Sequence, residues 1–122
     1  MPGAEKLVLM VTHGPHEPEL ASIPFALAGA ALASDVEVVM GFQADGCLLM
    51  KKGIAEGVAS PGFTPLGELL PVLQELGATF LVCAPCLKSH DLVESDFVEG
   101  AEVVAAGRFV AEITSATNCL VY

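Results

Sequence analysis

Tryptophan is absent from this 122-residue chain, and tyrosine occurs once. Lysine and arginine number five against 15 aspartates and glutamates, a formal net charge of −10. So few cations cannot supply the clustered basic side chains that neutralise phosphates, which excludes direct binding to DNA or RNA. The same acidity repels an anionic membrane surface. Long hydrophobic runs are missing as well. The longest uncharged apolar stretch has 15 residues, 20–34, is interrupted by Pro24, and is bounded by Glu19 and Asp35. A membrane-spanning helix needs about 20. The start, Met1-Pro2-Gly3-Ala4-Glu5-Lys6, has no basic region leading into an apolar one, so no signal peptide is expected. Glycine-rich nucleotide fingerprints, a P-loop, a Ser-His-Asp signature and a paired-carboxylate motif are all lacking.

What remains is strongly apolar. Hydrophobic residues make up 53% of the chain, and the mean hydropathy is +0.64. The length predicts one domain, residues 1–122, with a core that needs neither disulfide nor metal. A domain of this size leaves roughly a third of its unfolded-chain surface exposed. Some apolar surface is therefore expected to meet another copy, making a homo-oligomer. Four cysteines in a chain that is neither small nor secreted-looking predict reduced thiols and a cytoplasmic location.

Short β-branched runs alternate with helical patterns. Strands are expected at residues 6–13, 35–42, 79–83, 101–106 and 117–122. Helices are expected at 22–34 (Ser22 as N-cap, Pro24 in the first turn), 65–76 and 107–116. Gly77 closes the second of these, and Pro71 should kink or split it. Residues 43–46 read as a turn, 47–52 as a short amphipathic piece, and 53–64 as a loop. Residues 89–99 have room for a short helix capped by Asp91 or Ser95. Such alternation predicts an α/β fold: a mostly parallel, five-stranded, doubly wound sheet with helices on both faces.

In a parallel sheet the carboxyl ends of all strands share one edge, where ligands bind. His13 and Gly14 end the first strand. Asp45, Gly46 and Cys47 follow the second. Cys83-Ala84-Pro85-Cys86-Leu87-Lys88 ends the third, and Gly107 and Arg108 follow the fourth. Nearly every reactive side chain thus converges on that edge. Cys119 lies inside the fifth strand and reads as core, and Cys47 reads as a small buried hydrophobe.

The Cys83–Cys86 pair admits four readings: nucleophile, redox couple, metal ligand or apolar filler. The neighbouring turn amides, Lys88 and His90 are placed to favour a thiolate, the reactive form. One thiol can attack and the other resolve. A thioredoxin-type centre is disfavoured: tryptophan is lacking, and the pair follows the third strand rather than opening a helix near the first. Structural zinc needs four ligands, so His13 and Cys47 would have to complete the pair. His13 reads as a base beside the thiol or, more simply, as a polar cap on its strand. Gly14 permits close approach of a ligand or backbone. Lys51-Lys52 reads as a solvated turn able to meet an anionic partner. Glu94, Asp96, Glu99 and Glu102 read as a solvated face.

Several of these pieces recur together in one family. They are His13-Gly14 after the first strand, the alanine-rich first helix, Gly41-Phe42-Gln43-Ala44-Asp45-Gly46 with Leu48-Leu49 and Lys52-Gly53, and Val82-Cys83-Ala84-Pro85-Cys86-Leu87-Lys88. Phe97-Val98-Glu99-Gly100 followed by Glu102-Val103-Val104 completes the pattern. In their order and spacing the chain resembles the DsrE/DsrF-like family of small sulfur-relay proteins. The resemblance implies a three-layer α/β/α fold, trimers or hexamers, and a cysteine after the third strand that carries a persulfide between partner proteins. Cys83, which ends the strand, matches that cysteine. Cys86 is the resolving or alternative thiol, with His13, Gly14, Asp45 and Lys88 in support. No cofactor or metal is expected. The alternative is a non-catalytic oligomer with structural thiols that binds a small ligand or metal.

Overall fold

The computed structural model describes residues 4–122. The readings of a missing signal peptide and of a domain beginning at residue 1 extend over residues 1–3, which lie outside the described residues.

Five parallel strands form one sheet: β1 (Lys6–Val11), β2 (Glu37–Phe42), β3 (Thr79–Cys83), β4 (Ala101–Val104) and β5 (Asn118–Val121), in the order β4-β3-β2-β1-β5. Each inner strand is a continuous apolar run, as a sheet covered on both faces requires. Register aligns Val11 with Phe42, Phe42 with Val82, and Cys83 with Val104. Side-chain alternation divides the core in two. Leu9, Val11, Val38, Met40, Phe42, Phe80 and Val82 face helices α1 (Pro18–Ala33) and α2 (Leu66–Glu75) and build the larger cluster. Phe42 lies at its centre, with ring centroids 6.0 Å from Phe25 and 6.2 Å from Phe80.

Val8, Met10, Val39, Leu81 and Val104 face the other way, toward Phe109 of helix α4 (Ala106–Thr114). A Cβ at Gly41 would press into the Phe109 ring and the Met10 sulfur, so glycine makes room for that contact. Only Phe109 of α4 is fully buried. The helix is also tied down by Glu112, which accepts hydrogen bonds from Lys6 and from Arg108. Lys6 first, then Arg108, hold its carboxyl below the usual carboxylate range.

Several local expectations change. Helix α1 begins at Pro18, whose fixed φ suits the first helical turn. Ser22 therefore sits inside the helix, its hydroxyl donating to the Pro18 carbonyl at 2.7 Å, and Pro24 lies in the second turn. Pro71 does not split α2. Leu66, Leu70 and Leu73 anchor one buried face, and Pro71 lies on the exposed side. Gly77 does close α2, at φ +91°. The expected turn at 43–46 and the piece at 47–52 form one 3₁₀ segment, Ala44–Met50. Residues 89–99 hold only a 3₁₀ turn, Glu94–Asp96, in which the Asp96 carboxylate accepts the Val93 N–H at 2.9 Å. Asp91 caps nothing there; it adopts φ +55° just after a preceding helix. Cys119 is half-buried against the smaller cluster rather than deep in the core.

That preceding helix, α3 (Ala84–Ser89), is the main departure. The sequence leads one to expect a turn after the third strand. Pro85 instead occupies the first helical turn, where its missing N–H costs nothing. Cys83 is the N-cap position and Cys86 lies within the helix, so the pair does open a helix, contrary to expectation. Among the described residues, no helix is long and apolar enough to cross a membrane.

Candidate functional site

Topology marks one place on the carboxyl edge. After β3 the chain stays on the α1/α2 face, where Leu92 and Phe97 join the larger cluster. After β4 it crosses to the other face through α4. Cys83 and Val104, paired in register, are the last residues of those two strands.

Three thiols from separate elements gather where the Ala44–Met50 segment meets the carboxyl ends of β2 and β3. Cys83 and Cys86 are half-buried, with their sulfurs 2.7 Å apart. The backbone N–H of Ala44 donates to Cys86 Sγ at 3.4 Å. Cys47, fully buried, donates its S–H to the Phe42 carbonyl at 3.3 Å. Burial, followed by repulsion from any charge on Cys86 or Cys83, pushes the Cys47 thiol up to about 12. It stays protonated at neutral pH, and its reading as a small hydrophobe holds. Burial and the adjacent Cys86 side chain also push Cys83 up, against a smaller downward pull from the Cys86 backbone N–H.

The 44–50 segment is fixed against β1. Gln43 N–H donates to the Val11 carbonyl at 3.0 Å. A Cβ at Gly46 would overlap the Val11 carbonyl oxygen, and one at Gly14 would overlap the Asp45 carbonyl oxygen. Gly14 therefore does permit close approach, of backbone rather than ligand. Asp45 is exposed and pairs with His90, Nε2 to Oδ1, at 3.7 Å. This contact links the end of α3 to the 44–50 segment.

The supporting residues read from the sequence are not all assembled. His13 contacts the Thr12 hydroxyl at 3.4 Å and has no hydrogen bond to a thiol. The Lys88 side chain is exposed and makes no hydrogen bond or ion pair among the described residues. Among those residues, no group of three or more His, Cys, Asp or Glu is arranged to hold a metal ion. Ala44 was missed. It contributes only a backbone amide, and its sole trace in the sequence is its place before Asp45-Gly46, inside the expected turn.

The fold and site define a class: an all-parallel α/β protein with a dithiol at the carboxyl end of its third strand. The profile of the DsrE/DsrF-like family matches residues 5–122, and the chain belongs to that family. It is similar to the uncharacterized protein MJ0989 of Methanocaldococcus jannaschii, 30% identical over 96% of this chain and 99% of that one. It is also similar to the uncharacterized protein MK0008 of Methanopyrus kandleri, 30% identical over 98% and 96% of the two chains. Among solved structures, the ychN protein of E. coli superimposes with a TM-score of 0.80 at 17% identity, covering 97% of this chain and 99% of the other. MTH1491 of Methanobacterium thermoautotrophicum, titled a protein of unknown function, gives a TM-score of 0.74 at 15% identity over 97% and 99%. At such identities the structural likeness concerns the fold, a three-layer α/β/α arrangement.

Proposed function

We propose that the protein is a sulfur carrier that accepts sulfane sulfur on Cys83. The observation that carries this reading is the pair of half-buried thiols, 2.7 Å apart, at the carboxyl end of β3. Cys83 is the last residue of its strand and is not sealed in the core. Its thiolate attacks the outer sulfur of a donor persulfide. A new S–S bond forms on Cys83, the donor's S–S bond breaks, and the donor leaves as a thiolate. An acceptor thiolate then takes the outer sulfur in the same way. With no acceptor, Cys86 attacks the inner sulfur of the Cys83 persulfide, forming the Cys83–Cys86 disulfide and expelling hydrosulfide.

The same reading takes the protein as a cytoplasmic homo-oligomer, a trimer or hexamer, with a basic protein as donor or acceptor. The net charge of −10 supports the partner's sign. Val121 at 67% exposure and Val110 at 57% support self-association. Light scattering should report a mass of three or six chains. A monomer at micromolar concentration overturns that part.

Intact-mass spectrometry after incubation with a protein persulfide tests the chemistry. Wild type should gain about 32 Da, removable by reductant, and Cys83→Ser should gain none. Absence of the adduct on every cysteine overturns the carrier. Loss of the adduct only in Cys86→Ser transfers the acceptor role to Cys86.

A further inference from the structure

The sheet has two edges, and they are finished differently. At the β4 edge Glu102 is exposed, and a charge there blunts pairing with a further strand. The β5 edge has no such device. Asn118–Val121 holds neither a charged residue nor a proline, and its register with β1 runs without a bulge. The backbone shows which groups are left over. Tyr122 N–H donates to the Met10 carbonyl at 2.8 Å, and the Tyr122 carbonyl accepts from Thr12 N–H at 2.6 Å. Along a strand, successive residues turn these groups to opposite sides. Leu120 therefore also faces β1, while Cys119 and Val121 turn N–H and C=O outward, where the sheet ends. The side chains of this edge are apolar. Cys119 packs on the α4 face, so Val121, 67% exposed, shares that face, and Leu120, 40% exposed, lies on the α1 face.

Charge argues for what covers this edge. A net charge of −10 makes two copies repel over most of their surface. Around β5 that repulsion is small. Lys6 is the one charged residue of β1, and Arg108 and Glu112 are those of α4; with Glu102 they join in ion pairs whose charges cancel. Helix α1, on the other face, carries only Glu19. A basic partner protein has little to attract it there, whereas a second copy finds its own complement. We propose that β5 pairs with β5 of a second copy, antiparallel about a two-fold axis at Leu120, making one sheet across two chains. Cys119 of each copy then lies opposite Val121 of the other, and the two exchange both outward backbone hydrogen bonds. Leu120 lies opposite Leu120, close enough for the side chains to cover each other. Such a contact is self-complementary, as a two-fold interface requires. It deepens the homo-oligomer reading and rests on it, and it selects an even number of chains, a hexamer over a trimer. Strands β2 and β1 separate β3 from the joint, so both dithiols stay open, at opposite ends of the joined sheet.

Light scattering and a cross-link test the contact. Val121→Pro removes only an outward N–H, a change that an edge strand tolerates. Wild type should contain an even number of chains, and Val121→Pro should show about half the wild-type mass with wild-type circular dichroism. Val121→Pro at the wild-type mass overturns the proposal. So does a wild type of one or three chains; with three, the self-association read above stands and the β5 contact falls. Leu120→Cys decides the matter where Val121→Pro fails to fold. Residues opposite each other at such a position lie about 4.5 Å apart between Cα atoms, within disulfide range. Treated with diamide, Leu120→Cys should run mainly as a covalent dimer on a non-reducing gel, with peptide mass spectrometry placing the bond at position 120 of both chains. Absence of that bond overturns the pairing.

Discussion

The two walls of the thiol site are built differently. The Ala44–Met50 wall is sunk into the molecule: Gly46, Cys47, Leu49 and Met50 are buried, and glycine contacts press it against β1. The α3 wall has no fully buried residue in its six positions. It is held by Leu87 at the core margin, by the Cys86 sulfur on Ala44, and by the His90–Asp45 contact. One wall therefore presents a fixed amide and a thiol that stays protonated, and the other carries a thiol on a lightly anchored turn of helix. On the carrier reading proposed above, the two sulfurs change partners while the wall they face stays fixed.

The contrast can be broken most forcefully in the core of the fixed wall. Leu49→Ala should cost about 2–5 kcal/mol, the range for truncating a buried leucine. Leu87→Ala, at the margin, should cost less than half as much. Equal losses in urea titrations would show that α3 is as firmly seated as the 44–50 segment.

Alkaline pH separates the walls next. In the folded state Cys47 keeps its proton up to about 12, whereas the unfolded chain releases it near the ordinary thiol value of 9.0. The raised value contributes stability that is complete below about 9 and is lost as pH climbs to about 12, at up to about 1.4 kcal/mol per pH unit. Cys83 is shifted in the same direction and adds to that loss. Cys47→Ala should flatten the alkaline limb of a stability–pH curve. An unchanged limb would show that Cys47 ionises as easily folded as unfolded.

A smaller effect is expected at the tie between the walls. Asp45 is 61% exposed, so its contact with His90 is solvent-screened, and Asp45→Asn should lower stability by less than about 1 kcal/mol. A larger loss of thermal stability would make this pair the main anchor of α3. The smallest effect belongs to Lys88. Its side chain makes no hydrogen bond or ion pair among the described residues, so Lys88→Ala should leave persulfide uptake within about twofold and stability within about 0.5 kcal/mol. A tenfold loss of uptake would restore the anion-stabilising role read from the sequence.

Residues with a period were easy to read, and residues without one were not. Leu7 to Val11 and Val38 to Phe42 announce buried strands by apolar continuity, and Leu66, Leu70 and Leu73 mark one face of a helix. The start of α1 at Pro18, ahead of the expected Ser22 cap, and the helix after Cys83 with Pro85 in its first turn have no apolar period to announce them. Among site residues, Cys83 and Cys86 stand out by type and spacing. Gly14 and Asp45 were placed on the correct edge, but their contacts, with each other's backbone and with His90, have no sequence signature. Ala44 contacts Cys86 through a backbone amide, which every residue except proline possesses.

By itself the sequence determined the class of the molecule. Apolar runs of strand length alternating with helical patterns leave a parallel sheet as the way to bury both faces. In a parallel sheet the residues that follow the strands, His13, Gly14, Cys83 and Cys86 among them, share the carboxyl edge. Only the tertiary structure decided which of those residues meet. Strand order put β2 and β3 side by side, which brings the Ala44–Met50 segment against Cys86. The fold also brings the Ala44 N–H within 3.4 Å of the Cys86 sulfur, beside the close backbone contacts of Gly14 with Asp45 and of Gly46 with Val11. Burial and hydrogen-bond direction depend on distances between segments far apart in the chain, and no local pattern encodes them.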